Sequence, residues 1–242
     1  AGPHVSYSGP DLKMDRRKHL TWWGVIVWMM TLSTSWSDEP PPLRGELSVH
    51  DPSTMVLSDG TYWVFGTGHG LRSMYSTDRV QWMRGPRVFE SVPAWTSKLV
   101  PKNKGHLWAP DIIYHRGHYL LYYSISSWGS RVSAIGLAAN RTLNPASPDY
   151  AWEDRGRVVS TSDPDDHNAI DPAVMRDEDG RLWMVYGSYW SGIKLVELDP
   201  NTGLRLTPDH GNGQQGHEAA QPNAPKQSCH DILLHLRNQR HS

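Results

Sequence analysis

Residues 50–66 read HDPSTMVLSDGTYWVFG, and residues 169–187 read AIDPAVMRDEDGRLWMVYG. Each copy has an Asp-Pro step, an alternating strand, a Gly-containing turn and a second strand, which predicts a β-hairpin. A weaker copy begins at Trp108-Ala109-Pro110-Asp111 and turns at Arg116-Gly117. The three prolines, at positions 52, 110 and 172, are 58 and 62 residues apart. A strand-rich unit repeated about every 60 residues predicts an all-β propeller with one blade per repeat.

The predicted blades span about residues 50–89, 107–159 and 168–206. Because the innermost strands of a propeller begin around one central channel, we expect Asp51 and Asp171 to face a shared cavity. An Asp-Pro step can also simply cap a turn, and the spacing alone leaves that alternative open. Three blades do not close a ring, since propellers typically have at least four. The domain is therefore expected to be an incomplete propeller.

The composition argues against nucleic acid as a partner. The 242-residue chain has a net charge of −1 and no basic stripe, which argues against binding to nucleic acid.

The chain contains 12 Trp and 10 Tyr but only 2 Phe. Such aromatics can pack strands or can stack on flat ligands such as sugar rings. The single Cys229 excludes an intrachain disulfide.

The N-terminal region has the pattern of a secretory signal peptide. A basic segment follows Met14, residues 20–32 form an apolar run, and small residues come next. The run is short for a membrane span, which leaves a signal anchor as the alternative. We expect a secreted, extracellular protein without stable membrane association after cleavage. Residues 1–37 would be upstream sequence plus signal peptide, 38–47 a linker, 48–206 the propeller and 207–242 an irregular tail.

Four motifs in order resemble glycoside hydrolase family 43. They read VHDPS at 49–53, LWAPDI at 107–112, HNAIDP at 167–172 and GSYWSGIKL at 187–195. The likeness is greatest to the endo-1,5-α-L-arabinanases of that family, and the invertase and levansucrase group is a distant alternative. The resemblance implies a five-bladed β-propeller, of which about three blades are present here. It also implies inverting hydrolysis of α-1,5-arabinofuranosidic bonds in plant cell-wall arabinan.

The resemblance also implies roles for individual residues. Asp51 would be the general base, and Asp171 would orient the general acid and raise its pKa, because a nearby like charge disfavours ionisation. Asp111 would be structural, and Trp108 would stack on a sugar. The remaining implied substrate contacts are Gly129, Asn168, Ala169, Ile170, Ser188, Tyr189 and Trp190. His50 and His167 are expected to hydrogen-bond around the cavity.

The general acid is the part of the family pattern that this sequence does not match. The family has a Glu followed by Ala-Pro, whereas the one Glu after Glu197 is Glu218, which precedes Ala219-Ala220. Asn223-Ala224-Pro225 has an amide in place of the acid. Glu218 is therefore the candidate acid. No cofactor is required for the chemistry, and the ligands of a possible structural calcium in the central channel are unknown, because the family takes one from a late blade.

Two alternatives remain open. An exo-acting arabinofuranosidase or xylosidase of the same family would have the same motifs. A truncated, inactive propeller fragment could retain weak sugar binding through Trp108 and Tyr189. Product length and turnover on linear arabinan separate these three hypotheses.

Overall fold

The computed structural model describes residues 41–206. The predicted signal peptide, the tail and Glu218 lie outside the described residues. The strands form three antiparallel sheets that follow one another along the chain, with a single parallel strand added to the first sheet. They are β1 (Arg44–Gly45), β2 (Val56–Ser58), β3 (Thr61–Gly66), β4 (Gly68–His69), β5 (Arg72–Ser76), β6 (Gln81–Arg84), β7 (His106–His115), β8 (His118–Ile125), β9 (Ser133–Asn140), β10 (Glu153–Thr161), β11 (Ala173–Arg176), β12 (Leu182–Tyr186) and β13 (Lys194–Leu198).

The first sheet has the order β1-β6-β5-β3-β2. Ser58 pairs with Thr61, so Asp59 and Gly60 form a two-residue turn, with φ of +48° and +75°. Positive φ at both positions is the geometry that matches the twist of a tight hairpin, and it confirms the predicted turn. The expected linker is partly wrong, because Arg44 pairs with Gln81 in parallel and residues 44–45 extend this sheet.

The second sheet has the order β10-β9-β8-β7-β4. Arg116 and Gly117 form the predicted turn between β7 and β8, with φ of +47° and +82°. Strand β4 comes from the first repeat but pairs with the start of β7. This pairing joins the first two repeats through backbone hydrogen bonds.

The third sheet has the order β11-β12-β13. Its first hairpin turns at residues 177–180, where Gly180 N donates to Asp177 O at 3.0 Å. A further turn at residues 199–203 leads to a single bridge between Leu198 and Arg205. All three repeats therefore contain the antiparallel strands that the sequence predicts.

The core consists of two apolar layers, one on each face of the second sheet. Leu121 and Tyr123 of β8 belong to the layer shared with the first sheet. Their neighbours Leu120 and Tyr122 belong to the layer shared with the third sheet. Because side chains alternate along a strand, a strand buried on both faces needs a nearly continuous apolar sequence. This face-to-face stacking of three sheets is the blade packing of a propeller.

One helix, α1 (Ala94–Leu99), connects the first two sheets and was not predicted. It carries Trp95, whose indole Nε1 donates to Asp154 Oδ2 at 3.0 Å. Within residues 41–206, no helix has the length and apolar character needed to cross a membrane.

Candidate active site

The three Pro steps of the repeats converge on one cleft. Pro52 and Pro172 come shortly before β2 and β11, and Pro110 lies within β7. The cleft has a volume of about 290 Å³, and its lining residues are Asp51, Pro52, Thr54, Ala109, Pro110, Asp111, Asp171, Pro172 and Ala173. The prediction that the repeats bring Asp51 and Asp171 to a shared cavity is therefore confirmed.

Asp51 presents an accessible carboxylate whose two oxygens differ in their surroundings. Its Oδ2 accepts a hydrogen bond from Thr67 Oγ1 at 2.7 Å and lies 2.7 Å from His50 Nδ1. Its Oδ1 has no protein donor among residues 41–206. The side chain is 42% exposed. One oxygen is thus anchored, and the other remains available to a ligand or water.

Asp171 reaches the same cleft from the third sheet. Its backbone N–H donates to Ser124 Oγ at 2.9 Å, and Ser124 is fully buried in β8. Its carboxyl is accessible from the cleft, yet enough protein surrounds it that desolvation raises its pKa. The nearby charge of Asp51 raises the pKa of Asp171 further. The charge of Asp51 therefore acts on the Asp171 carboxyl across the cleft.

Asp111 ties the inner strands together. Its Oδ1 accepts the backbone N–H of Thr54 at 3.0 Å, and its Oδ2 accepts that of Val174 at 2.8 Å. The residue is buried in β7, between the first and third sheets. Since both oxygens are engaged by backbone donors, this carboxylate has a structural role.

Two groups of aromatic side chains lie outside the residues that line the cleft. Trp108 is half-buried, and its ring centroid lies 6.0 Å from that of Trp128, which is 95% exposed. Gly129 follows with φ of +68°, and no atom lies within 4 Å of the position that a Cβ would take. Tyr189 and Trp190 form the second group, with exposed rings 5.5 Å apart in an edge-to-face arrangement.

The segment before Asp171 holds the loop that carries the second aromatic group. Asn168 is buried, its Oδ1 accepts the Ser188 backbone N–H at 3.1 Å, and its Nδ2 donates to Ser188 Oγ at 3.3 Å. Ile170 is half-buried, and its carbonyl accepts the Gly187 N–H at 2.7 Å. Asn168 and Ile170 thus set the start of the 188–190 loop.

Ala169 requires a correction. Its side chain is fully buried in the layer between the second and third sheets. Its backbone N–H points to Ser133 Oγ at 2.8 Å and Thr161 Oγ1 at 3.1 Å. The expected substrate contact at Ala169 is therefore incompatible with the complete burial of this residue.

Three residues of interest were missed by sequence reasoning. Thr67 binds the Asp51 carboxylate from the other strand of the same hairpin. Ser124 accepts the backbone N–H of Asp171 across two sheets. No local pattern marks either hydrogen bond. Trp128 could have been found, because it directly precedes Gly129, which is one of the implied substrate contacts. His50 does hydrogen-bond at the cleft as expected, whereas His167 lies 2.9 Å from Asp166 Oδ1.

The described residues do not form a recognisable metal site. Within residues 41–206, no group of three His, Cys, Asp or Glu side chains is arranged to hold a metal ion. Both oxygens of Asp111 are already occupied, so it does not offer a free ligand. The ligands of the possible calcium ion therefore stay unassigned, and Glu218 lies outside the described residues.

Comparison with known proteins gives consistent results. A family model described as Glycosyl hydrolases family 43 matches residues 45–227. An extracellular exo-α-(1→5)-L-arabinofuranosidase from Cellvibrio japonicus is 48% identical over 155 residues, which cover 64% of this chain and 44% of that protein. An extracellular endo-α-(1→5)-L-arabinanase from Bacillus subtilis is 41% identical over 158 residues, which cover 64% of this chain and 47% of that protein. The chain thus spans less than half the length of these relatives.

Solved structures agree with the sequence matches. The α-L-arabinanase of Cellvibrio cellulosa, solved in complex with arabinohexaose, superposes with a TM-score of 0.64 at 44% identity, over 66% of this chain and 51% of that one. An endo-arabinanase from Bacillus licheniformis also gives a TM-score of 0.64, at 42% identity, over 70% of this chain and 57% of that one.

Proposed function

The chain belongs to glycosyl hydrolases family 43, and we propose that it hydrolyses α-1,5-arabinofuranosidic bonds in arabinan with inversion. Its fold is the five-bladed β-propeller of that family, of which residues 41–206 form three blades. The observation that carries the proposal is the meeting of Asp51 and Asp171 in one cleft. Glycosidic hydrolysis requires a carboxylate base and a carboxylic acid facing one cavity, and in this proposal Asp51 supplies the base and Asp171 modulates the acid. The substrate is inferred from the names of the relatives.

Asp51 is the general base in this proposal. A water molecule attacks the anomeric carbon, and its proton moves to the Asp51 carboxylate as the glycosidic bond breaks. The leaving oxygen takes a proton from a carboxylic acid on the opposite side of the sugar. One displacement of this kind inverts the anomeric centre. The accessible Oδ1 of Asp51 supports the assignment, because a base must be reachable by water.

Asp171 modulates the acid in this proposal. The cleft carboxyl groups among residues 41–206 are Asp51, Asp111 and Asp171, and the first two are assigned to the base and to structure. Glu218 is the candidate acid from the sequence. A carboxyl group beside the acid disfavours its ionisation and so keeps it protonated at higher pH. The raised pKa of Asp171 itself is consistent with a site in which carboxyl groups interact.

The test is Asp51→Asn in the full chain, assayed for reducing ends released from linear arabinan. Loss of a general base should lower turnover by about 10²- to 10⁴-fold while the protein stays folded. Asp149→Asn, at an exposed aspartate outside the cleft, is the matched control. Undiminished activity in Asp51→Asn would exclude it as the base. A folded wild-type chain that binds arabinan without cleaving it would instead support the inactive sugar-binding alternative.

The mode of attack on the polymer is proposed as endo, with exo as a second candidate. The sequence motifs resemble endo-arabinanases, whereas the 48%-identical relative is named an exo-acting enzyme. Early products from linear arabinan distinguish the two modes, since short oligomers of mixed length indicate endo action. Release of a single small product from the start would indicate exo action. Both relatives are named extracellular, which supports a secreted location for this protein as well.

A further inference from the structure

Asp51 is anchored by a threonine from the neighbouring strand. Thr67 directly follows β3, and its hydroxyl donates to Asp51 Oδ2 at 2.7 Å. Its backbone N–H also donates to the carbonyl of His50 at 2.9 Å. Thr67 therefore holds both the backbone and the side chain of the segment that carries Asp51.

The same hydroxyl reaches the second blade. Thr67 Oγ1 accepts the backbone N–H of Ala109 at 2.8 Å. Ala109 precedes Pro110 and lines the cleft. Thr67 thus connects Asp51 with the inner strand of the next blade, so the position of the carboxylate depends on the junction between the two blades.

The direction of these hydrogen bonds follows from their chemistry. A backbone N–H can only donate, so the Thr67 oxygen must accept from Ala109. The hydroxyl proton is then directed at Asp51, and an ionised carboxylate can only accept it. A bond to an ionised acceptor is stronger than one between neutral groups. Thr67 therefore fixes Oδ2 as the anchored oxygen and leaves Oδ1 for the reaction.

We propose that Thr67 is a positioning residue for Asp51, and that Asp51 Oδ1 is the oxygen that receives the proton from water. The inference rests on the proposed role of Asp51 as the general base. Thr67 itself does not touch the substrate in this scheme; it holds the base in place. His50 approaches the same Oδ2, but its side chain is 78% exposed, and exposed ion pairs contribute little. Thr67 is half-buried and hydrogen-bonds to residues of two blades. It is therefore the donor that holds the Asp51 carboxylate in position.

The first experiment compares Thr67→Val and Thr67→Ser on linear arabinan. Valine keeps the shape but removes the hydroxyl, and misplacement of a catalytic group by about 1 Å costs on the order of 10²-fold. We expect Thr67→Val to lower kcat by about 10- to 100-fold with little change in KM, and Thr67→Ser to recover most of the loss. Thr61→Val makes the same change at the other end of β3, at a half-buried hydroxyl without a bond among the described residues. It should match wild type.

The second experiment is independent of activity. A double-mutant cycle of Thr67→Val and Asp51→Ala measures their coupling in urea unfolding. Alanine is a suitable replacement because Ala109 occupies the corresponding position of the second repeat. In wild type, Thr67→Val should raise the unfolding equilibrium constant by some factor. We expect that factor to be at least about threefold smaller when the same substitution is made in the Asp51→Ala background.

The outcomes separate this inference from the proposed function. An inactive Asp51→Asn together with a fully active Thr67→Val overturns the positioning role and leaves the base assignment intact. An active Asp51→Asn overturns the base assignment, and with it the role of Oδ1. Additive unfolding effects of Thr67→Val and Asp51→Ala overturn the positioning role even in a chain without measurable turnover.

Discussion

Asp51 and Asp171 have the same unusual backbone conformation, with φ of +49° and +56°, and a proline follows each of them. The left-handed region costs a non-glycine residue roughly 1–2 kcal/mol, and a following proline also disfavours helical backbone angles. Ala109 has φ of +36° at the same place in the second repeat. Because the alanine side chain has no charge and no hydrogen-bonding group, the conformation does not depend on a carboxylate and belongs to the repeat itself. In two of the three copies, the residue in this conformation is an aspartate that precedes the inner strand.

Replacing Asp171 by asparagine should stabilise the fold at neutral pH. The pKa of Asp171 is raised above its ordinary value of 3.8, mainly by desolvation and then by Asp51. The folded state therefore retains this proton to higher pH than the unfolded chain does, and stability is lost as pH rises from about 3.8 through the folded pKa. Asparagine removes that loss. We expect a higher Tm for Asp171→Asn at pH 7 and a smaller difference at pH 4.5, together with lower activity.

The matched control for this comparison is Asp149→Asn. Asp149 is exposed, and its carboxylate has no hydrogen bond within the described residues. Its replacement should change the free energy of unfolding by no more than about 0.5 kcal/mol at either pH. An Asp171→Asn variant that melts below wild type at pH 7 would show that the ionised carboxylate is stabilising, contrary to this argument.

Asp111 should be the most important cleft carboxylate for stability. Its replacement by alanine leaves the N–H groups of Thr54 and Val174 without their acceptor. Each unsatisfied partly buried donor costs about 1–3 kcal/mol, so for the two donors we expect a loss of about 2–6 kcal/mol in the free energy of unfolding. Asp111→Asn keeps one acceptor oxygen and should lose less. Urea unfolding with Asp149→Ala as control measures both, and a loss of under about 1 kcal/mol for Asp111→Ala would contradict the structural role.

The repeat made much of the fold predictable. Asp59-Gly60 and Arg116-Gly117 are two-residue turns that fix hairpin register locally, so the strands on either side could be placed from sequence. The parallel pairing of Arg44 with Gln81 could not be predicted, because it joins distant segments without a turn between them. A two-residue strand shows no periodic pattern in the sequence, so this segment resembled a linker.

The site residues could be predicted only where they occupy equivalent positions of the sequence repeat. Asp51 and Asp171 stand at equivalent positions of two copies, so their convergence follows from the propeller geometry. Thr67 and Ser124 act through hydrogen bonds to residues at least 16 positions away in the chain, and nothing in their local sequence indicates such partners. Ala169 shows the opposite error, because a residue two positions before a cleft aspartate can still face the core.

Tyr122 joins the second blade to the third through its hydroxyl. The side chain is fully buried, and Oη donates to the carbonyl of Gly203 at 2.8 Å. Burial raises the pKa of Tyr122, so it remains a neutral donor. Tyr122→Phe leaves the Gly203 carbonyl unsatisfied and should cost about 1–2 kcal/mol in urea unfolding. Tyr114 is 55% exposed, so the control Tyr114→Phe should change the free energy of unfolding little. Equal losses in the two variants would argue against a specific hydrogen bond from Tyr122.

Asn168 should control the mobility of the loop that carries Tyr189 and Trp190. Its carboxamide accepts the Ser188 N–H and donates to the Ser188 hydroxyl, so Asn168→Ala removes both contacts. A lost bond of about 1–2 kcal/mol corresponds to roughly 5- to 30-fold faster amide hydrogen exchange at Ser188. The amide of Met184, in the middle of β12, is the internal control and should keep its rate. Faster exchange at both amides would mean that the whole blade is loosened, whereas unchanged exchange at Ser188 would mean that Asn168 does not hold the loop.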